Sequence, residues 1–167
     1  KESEMLYISQ GVITPDGNFD SYKKIHLGDN EERFFQEGKD INIFNYKNYK
    51  FGIQICLDSH FSELTNIMKN LGAEIIFMPH MTPINSEKRI ELWKRYIPAR
   101  SYDNNIYIVT LNGIFNDVHG GGISVWNAKG DILFNESNMS KEIINFEFEI
   151  ESGNKKIEKI ISKRKNN

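Results

Sequence analysis

One cysteine occurs in the chain, Cys56, within the stretch FGIQICLDSHFSE, residues 51 to 63. It falls where an apolar, strand-like run gives way to a polar, helix-like one. Catalytic groups in open α/β sheets gather at the carboxyl ends of strands, and a following helix offers free N–H groups and partial positive charge that favour a thiolate. The competing reading is a buried, inert thiol, a common fate of free cysteine. A second stretch, YKKIHLGDNEERFFQEG at residues 22 to 38, shifts the odds toward a working thiol when it is taken together with the cysteine segment. His26, His60, His80 and His119 have no metal-ligand spacing, so no metal is expected. His80 follows an apolar run and is a candidate pocket-lining residue. His80 or His119 would be the base if the site were instead a cysteine–histidine pair. HGGG, residues 119 to 122, looks like an esterase oxyanion loop, but no Gly-x-Ser-x-Gly accompanies it, and it reads as a mobile turn.

The elements that must position these residues can be read from periodicity. Two β-branched segments around PDGN predict a hairpin from about Leu6 to His26. Phe51, Ile53 and Ile55 alternate with Gly52 and Gln54, which predicts a strand running to Cys56. Leu64, Ile67, Met68 and Leu71 fall at helical spacing, with Ser62 as the expected cap and Gly72 as the stop. AEIIFMP then reads as a strand covered on both faces, so residues 51 to 79 form a βαβ unit with a parallel sheet. A second helix is expected from about Ser86, with Ile90, Trp93 and Ile97 on one side and Pro98 kinking or ending it. IYIVTLN predicts a further strand, GISVWNAKGDILFN a hairpin across NAKG, and Ile144, Phe146, Phe148 and Ile150 a strand with one face buried. The last seventeen residues form a polar tail.

With 167 residues, 39% of them hydrophobic, the chain fits one domain with a sizeable core. A net charge of −2 gives no basic field for nucleic acid. No apolar run approaches the roughly 18 residues that span a bilayer. A single cysteine makes no internal disulfide, and the N-terminus has no signal-peptide pattern, so a reducing cytoplasm is the default compartment. Opening on Lys1 and entering an apolar stretch at once, the chain reads as the back part of something longer.

The order and spacing of the motifs resemble the carbon–nitrogen hydrolase (nitrilase) superfamily. Tyr22, Lys24, His26 and Leu27 match its Tyr-x-Lys-x-His-Leu segment. Glu31, Phe34, Phe35 and Gly38 match a glutamate ahead of an aromatic pair and glycine. Cys56 and Asp58 match the nucleophile segment, 32 residues after Lys24. FMPH, WKRYIPARSYDNNIYIV and GGISVWNAKGDIL continue the likeness to about residue 150. The resemblance implies an α/β fold, a four-layer αββα sandwich here incomplete at its N-terminus, with residues 1–150 as the C-terminal portion of the domain and 151–167 as the tail. It implies catalysis by Cys56, Lys24 and Glu31, the last preferred over Glu32. It gives supporting roles to Leu57, whose backbone N–H would share the oxyanion, and to Asp58 and His80. The implied reaction is hydrolysis of a small linear amide or N-carbamoyl amine, without metal or organic cofactor, by a homodimer or larger assembly. Leu-Asp after the nucleophile departs from the Trp-Glu of true nitrilases and favours an amide or N-carbamoyl amine substrate. The family's general-base glutamate would precede Tyr22 by more than this sequence holds, Glu2 and Glu4 being too close to the first strand. A catalytically silent remnant or partner-binding subunit of the same fold is therefore the alternative.

Overall fold

The structure is a computed structural model describing residues 5–115, 119–137 and 144–150. The first two strands, β1 (Ser9–Ile13) and β2 (Phe19–Lys23), pair antiparallel as a separate ribbon. Their PDGN turn closes as its residue types require: the Gly17 N–H donates to the Thr14 carbonyl at 2.8 Å with Gly17 at φ 83°, a conformation glycine adopts without a Cβ penalty. Just past β2, the Lys24 backbone is gripped from both sides, its N–H donating to Ile8 and its carbonyl accepting from Gly38. A Cβ at Gly38 would meet the Lys23 carbonyl oxygen at 2.3 Å, so only glycine permits this approach.

The main sheet has six strands in the order β10-β9-β6-β5-β4-β3. These are β3 (Ile43–Tyr46), β4 (Tyr49–Ile53), β5 (Ile75–His80), β6 (Tyr107–Asn112), β9 (Ile123–Trp126) and β10 (Ile132–Glu136); the short pair β7 (Ile114–Phe115) and β8 (His119–Gly120) lies outside it. β4, β5 and β6 are parallel and the remaining pairs antiparallel. The parallel connections are helical, through α1 (Ser62–Asn70) and through α2 (Ser86–Trp93) followed by α3 (Ile97–Asn104). A parallel neighbour requires such a crossover, because the chain must return to the same sheet edge.

Strand alternation sorts the core. Ile76, Met78 and His80 of β5 are buried on the helix-covered face, where a Cβ on Gly52 would strike Met68 of α1 at 2.6 Å and where Trp93 of α2 lies 5.2 Å from the His80 ring. The opposite face carries Phe44, Phe51 and Phe77, stacked or edge-on at 5.4 and 5.5 Å. It is drier at its centre than at its margin, where Tyr46 and Tyr49 are 42% and 45% exposed. The described residues thus contribute one helix layer and one large sheet to the α/β architecture.

Five expectations change. β4 stops at Ile53, because the Ile55 N–H turns away from the sheet to the Asp58 carboxylate at 3.0 Å. Ser62 does not cap α1: a five-residue 3-10 turn, Cys56–His60, feeds straight into the helix, so Phe61 occupies the cap position and Ser62 is already helical. Pro98 neither kinks nor ends a helix. The break comes earlier, at residues 94–96, and Pro98 sits in the first turn of α3, where its missing N–H would have had no partner anyway. Residues 144–150 form no strand. Their alternate aromatics still face one way, Phe146 stacking on Phe134 and Phe148 on Tyr107, but across the sheet face instead of along its edge. The HGGG segment begins as a paired strand, β8 bonding β7, and is no free turn. The polar tail, 151–167, lies outside the described residues.

Candidate active site

Cys56 opens the 3-10 turn at the carboxyl end of β4 with φ 51°, inside the left-handed region. For a residue bearing a Cβ this conformation costs about 1–2 kcal/mol, and such strain persists only where surroundings impose it. Here the Ser59 hydroxyl donates to the Cys56 carbonyl at 2.7 Å and the Asp58 N–H donates to the Ile55 carbonyl, tightening the turn beneath a half-buried thiol.

Asp58 joins this turn to the lysine segment. Its fully buried carboxylate accepts from the Tyr22 hydroxyl (2.9 Å), the His26 N–H (2.8 Å) and the Ile55 N–H (3.0 Å), and lies 2.8 Å from His26 Nδ1. Burial and the Asp58 charge push the Tyr22 hydroxyl far above its ordinary range, so it stays a donor. The His26 ring is in turn stacked on Phe61, centroids 3.6 Å apart. Tyr22 and His26 stand two residues either side of Lys24, Tyr22 within β2 and His26 in the bend that follows it. Asp58 therefore ties the chain on both sides of Lys24 to the cysteine turn.

The Lys24 ammonium, 2% exposed, meets Glu31 Oε2 at 2.5 Å, and the same oxygen accepts the Gly28 N–H at 2.8 Å. Burial works against the Glu31 charge, but the Gly28 N–H and the Lys24 ammonium hold its carboxyl below the usual glutamate value. Of the two candidate carboxylates the structure brings Glu31 to Lys24, while Glu32 is exposed. Leu57 lies half-buried within the turn, directly after Cys56.

His80 is placed beneath the turn, 4% exposed. Its Nδ1 is 2.9 Å from the Met78 carbonyl and its Nε2 is 3.4 Å from both Ser59 Oγ and Trp93 Nε1. Burial, reinforced by the Arg89 charge, lowers its pKa to about 4. The imidazole is then neutral, donating through Nδ1 to the Met78 carbonyl and accepting through Nε2 from the Trp93 indole N–H, while the Ser59 hydroxyl beside it spends its single proton on the Cys56 carbonyl. The depressed folded value means the unfolded chain binds the proton first as pH falls. His80 therefore contributes stability that is complete above pH 6.5 and lost as pH drops toward 4, about 1.4 kcal/mol per unit and roughly 3 kcal/mol in all. The expected result is that urea midpoints for the wild type fall more steeply over this window than those of His80→Gln; equal slopes would assign the acid lability elsewhere.

Among the described residues no cluster of three or more His, Cys, Asp or Glu side chains could hold a metal, and no helix is long and apolar enough to cross a membrane. Two clefts, of about 600 and 420 Å³, lie between the hairpin turn and the open sheet face and include none of Cys56, Lys24 or Glu31. Sequence reasoning missed the left-handed backbone at Cys56, which no residue type announces. It also missed the network through Ser59 and Tyr96, whose hydroxyls are 3.1 Å apart.

The family model for carbon–nitrogen hydrolases matches residues 1–152. The chain is 32% identical over 120 residues to a probable nitrilase of Schizosaccharomyces pombe, an alignment covering 70% of the chain and 42% of that protein. It is 26% identical over 147 residues to the omega-amidase NIT2 of Homo sapiens, covering 80% and 52%. Among solved structures, a carbon–nitrogen hydrolase from Helicobacter pylori G27 superposes with a TM-score of 0.71 at 23% identity, covering 82% of the chain and 55% of that structure. The chain spans about half the length of the relatives it matches. On the match that runs through the hairpin, the lysine segment, the cysteine turn and the whole six-stranded sheet, this chain belongs to the carbon–nitrogen hydrolase family.

Proposed function

We propose that the protein carrying this chain hydrolyses the carbon–nitrogen bond of a small linear amide or N-carbamoyl amine through a thioester on Cys56. The observation that carries this reading is the Asp58 carboxylate, which ties both neighbours of Lys24 to the turn that bears Cys56. In the first half-reaction the thiol gives its proton to a carboxylate as the sulfur bonds to the carbonyl carbon, and the oxygen takes up negative charge facing the Lys24 ammonium and the Leu57 N–H. The carbon–nitrogen bond then breaks, and the amine leaves with a proton delivered by a carboxylic acid. Water adds to the thioester in the second half-reaction and the carbon–sulfur bond breaks, releasing acid and restoring the thiol. Glu31 holds the lysine in place; the proton-transferring carboxylate is, by family likeness, a glutamate upstream of Tyr22. The reading includes no metal or organic cofactor, and a homodimer or larger assembly. His80 is a poor base by comparison, since its depressed pKa leaves little driving force for taking the thiol proton.

The test is ammonia release by the protein expressed from its complete reading frame, across a panel of small amides, carbamoyl amines and nitriles. Turnover is expected on amides or carbamoyl amines. Lys24→Met, which keeps the length of the stem and deletes the charge, should lower kcat by about 10²–10³, the usual effect of removing an oxyanion donor. A folded protein silent on the whole panel would favour the non-catalytic subunit.

A further inference from the structure

The groups beneath Cys56 hold few protons, and each can be assigned. Ser59, fully buried, has a single one, and the Cys56 carbonyl at 2.7 Å takes it, since a carbonyl oxygen only accepts. The Ser59 oxygen also lies 3.1 Å from the Tyr96 hydroxyl, and two hydroxyl oxygens at that distance need one proton between them. With the serine proton already committed, Tyr96 supplies it. His80 does not compete, because the Trp93 N–H fills its accepting nitrogen. Burial, the largest influence, holds the Tyr96 pKa above its ordinary value, so the phenol keeps its proton at neutral pH. The result is a one-way relay from Tyr96 through Ser59 to the Cys56 carbonyl.

Tyr96 reaches this place because the helix breaks there. Its φ of −138° is outside the helical range, yet its N–H donates to the Trp93 carbonyl at the end of α2 and its carbonyl accepts the Arg100 N–H of α3. Its ring lies on His60, 4.6 Å between centroids. Ser59 and His60 both belong to the 3-10 turn that Cys56 opens, so Tyr96 touches that turn twice. Cys56 is thereby held from both sides: Asp58 engages the Ile55 N–H and carbonyl before it, and the relay engages its own carbonyl after it. Nothing intrinsic to cysteine favours φ 51°, and a left-handed residue with a Cβ needs such bracketing.

We infer that Tyr96 is a positioning residue for the nucleophile: its hydroxyl orients Ser59, and Ser59 holds the Cys56 carbonyl so that the sulfur keeps the direction the left-handed backbone gives it. A hydroxyl that accepts a hydrogen bond is polarised and donates the next one more strongly. The inference rests on the hydrolase reading only for the word nucleophile; the relay belongs to the turn itself.

A double-mutant cycle on the complete protein tests it, with Tyr96→Phe, Ser59→Ala and the double variant compared by kcat, KM and the rate at which iodoacetamide alkylates Cys56. Tyr96→Phe keeps the ring on His60 and deletes only the O–H. It is expected to lower kcat about five-fold, the rate equivalent of one neutral hydrogen bond, to leave KM within about twofold, and to shift the alkylation rate by about threefold or more. Ser59→Ala should lower kcat about tenfold, and in that background Tyr96→Phe should change kcat by less than about twofold, because its effect passes through the serine. Single losses that simply multiply in the double variant overturn the relay. So does a Tyr96→Phe protein whose loss is confined to KM, or whose kcat and alkylation rate both match wild type, either of which leaves Tyr96 a packing residue. If Ser59→Ala does not fold, Tyr96→Phe decides on those same readouts. Alkylation rates that follow the cycle in a protein turning over no amide would leave the relay standing and remove the hydrolase reading.

Discussion

Cys56→Ala is expected to reduce amide turnover by a factor on the order of 10⁴–10⁶, the range seen when a nucleophile is deleted from a site whose members act as a unit. The variant should fold as the wild type does. Alanine at φ 51° suffers the same Cβ crowding as cysteine, so the backbone strain is unchanged and only a half-buried sulfur is lost. Cys56→Gly separates strain from chemistry. Removing Cβ relieves about 1–2 kcal/mol in the left-handed region, partly offset by the greater freedom of glycine in the unfolded chain. The glycine form should therefore be as stable as the alanine form or more so, while both are dead. This opposite movement of stability and activity is what a strained nucleophile predicts and what a packing cysteine does not. Stopped assays with purified wild type and both variants, alongside urea unfolding, make the comparison. Turnover within tenfold of wild type in Cys56→Ala would end the thioester mechanism.

The turn that carries this strain also shows where sequence reading stops. The hairpin, the βαβ unit and the β9–β10 hairpin were legible because each is a local statement: PDGN and NAKG demand particular dihedrals, Phe51 and Ile53 alternate with the strand period, and AEIIFMP is a short continuous apolar run. The segment from Gln54 to Phe61 follows no period. Its conformation is set by a contact from elsewhere in the chain, Asp58 capturing the Ile55 N–H while holding Tyr22 and His26. Residues 144–150 failed for a related reason. Alternation reports which side chains face apolar surface, and Phe146 and Phe148 do so, but it does not say whether the backbone enters a ladder. Among the candidate site residues, Glu31 was preferred over Glu32 by resemblance alone, and the physical reason needed coordinates: Gly28 and Glu31 form a tight turn that brings this carboxylate to Lys24. Ser59 and Tyr96 were invisible because a serine in a turn and a tyrosine between two helices are ordinary residues until they meet.

Asp58 makes the second large prediction because four donors or ring atoms from three residues on two segments depend on one buried carboxylate. Asp58→Ala strands the Tyr22 hydroxyl and the His26 and Ile55 N–H groups without acceptors. Each orphaned buried donor costs about 1–3 kcal/mol, and removal of one partner from a buried charged network typically costs about 3–5 kcal/mol in total. At roughly 2–4 °C per kcal/mol for a domain of this size, Tm should fall by about 6–20 °C. Asp58→Asn is the sharper probe. It keeps the shape and one acceptor oxygen but presents an NH₂ to either the Ile55 or the His26 N–H, two donors facing each other. The turn should therefore relax away from the lysine segment before the fold is lost. A purely structural aspartate predicts that folded Asp58→Asn turns over at the wild-type rate well below its Tm. A positioning aspartate predicts a fall in kcat of about a hundredfold at such temperatures, since a displacement near 1 Å costs that much, with KM little changed. It also predicts a changed rate of Cys56 alkylation by iodoacetamide, measured on the same preparations. Tyr22→Phe closes the argument, for it removes one donor and leaves the carboxylate its other bonds. If the clamp fixes Lys24 through both neighbours, that variant should lose a smaller part of kcat than Asp58→Asn and about 1 kcal/mol of stability. Full activity in both would release Lys24 from any dependence on the turn.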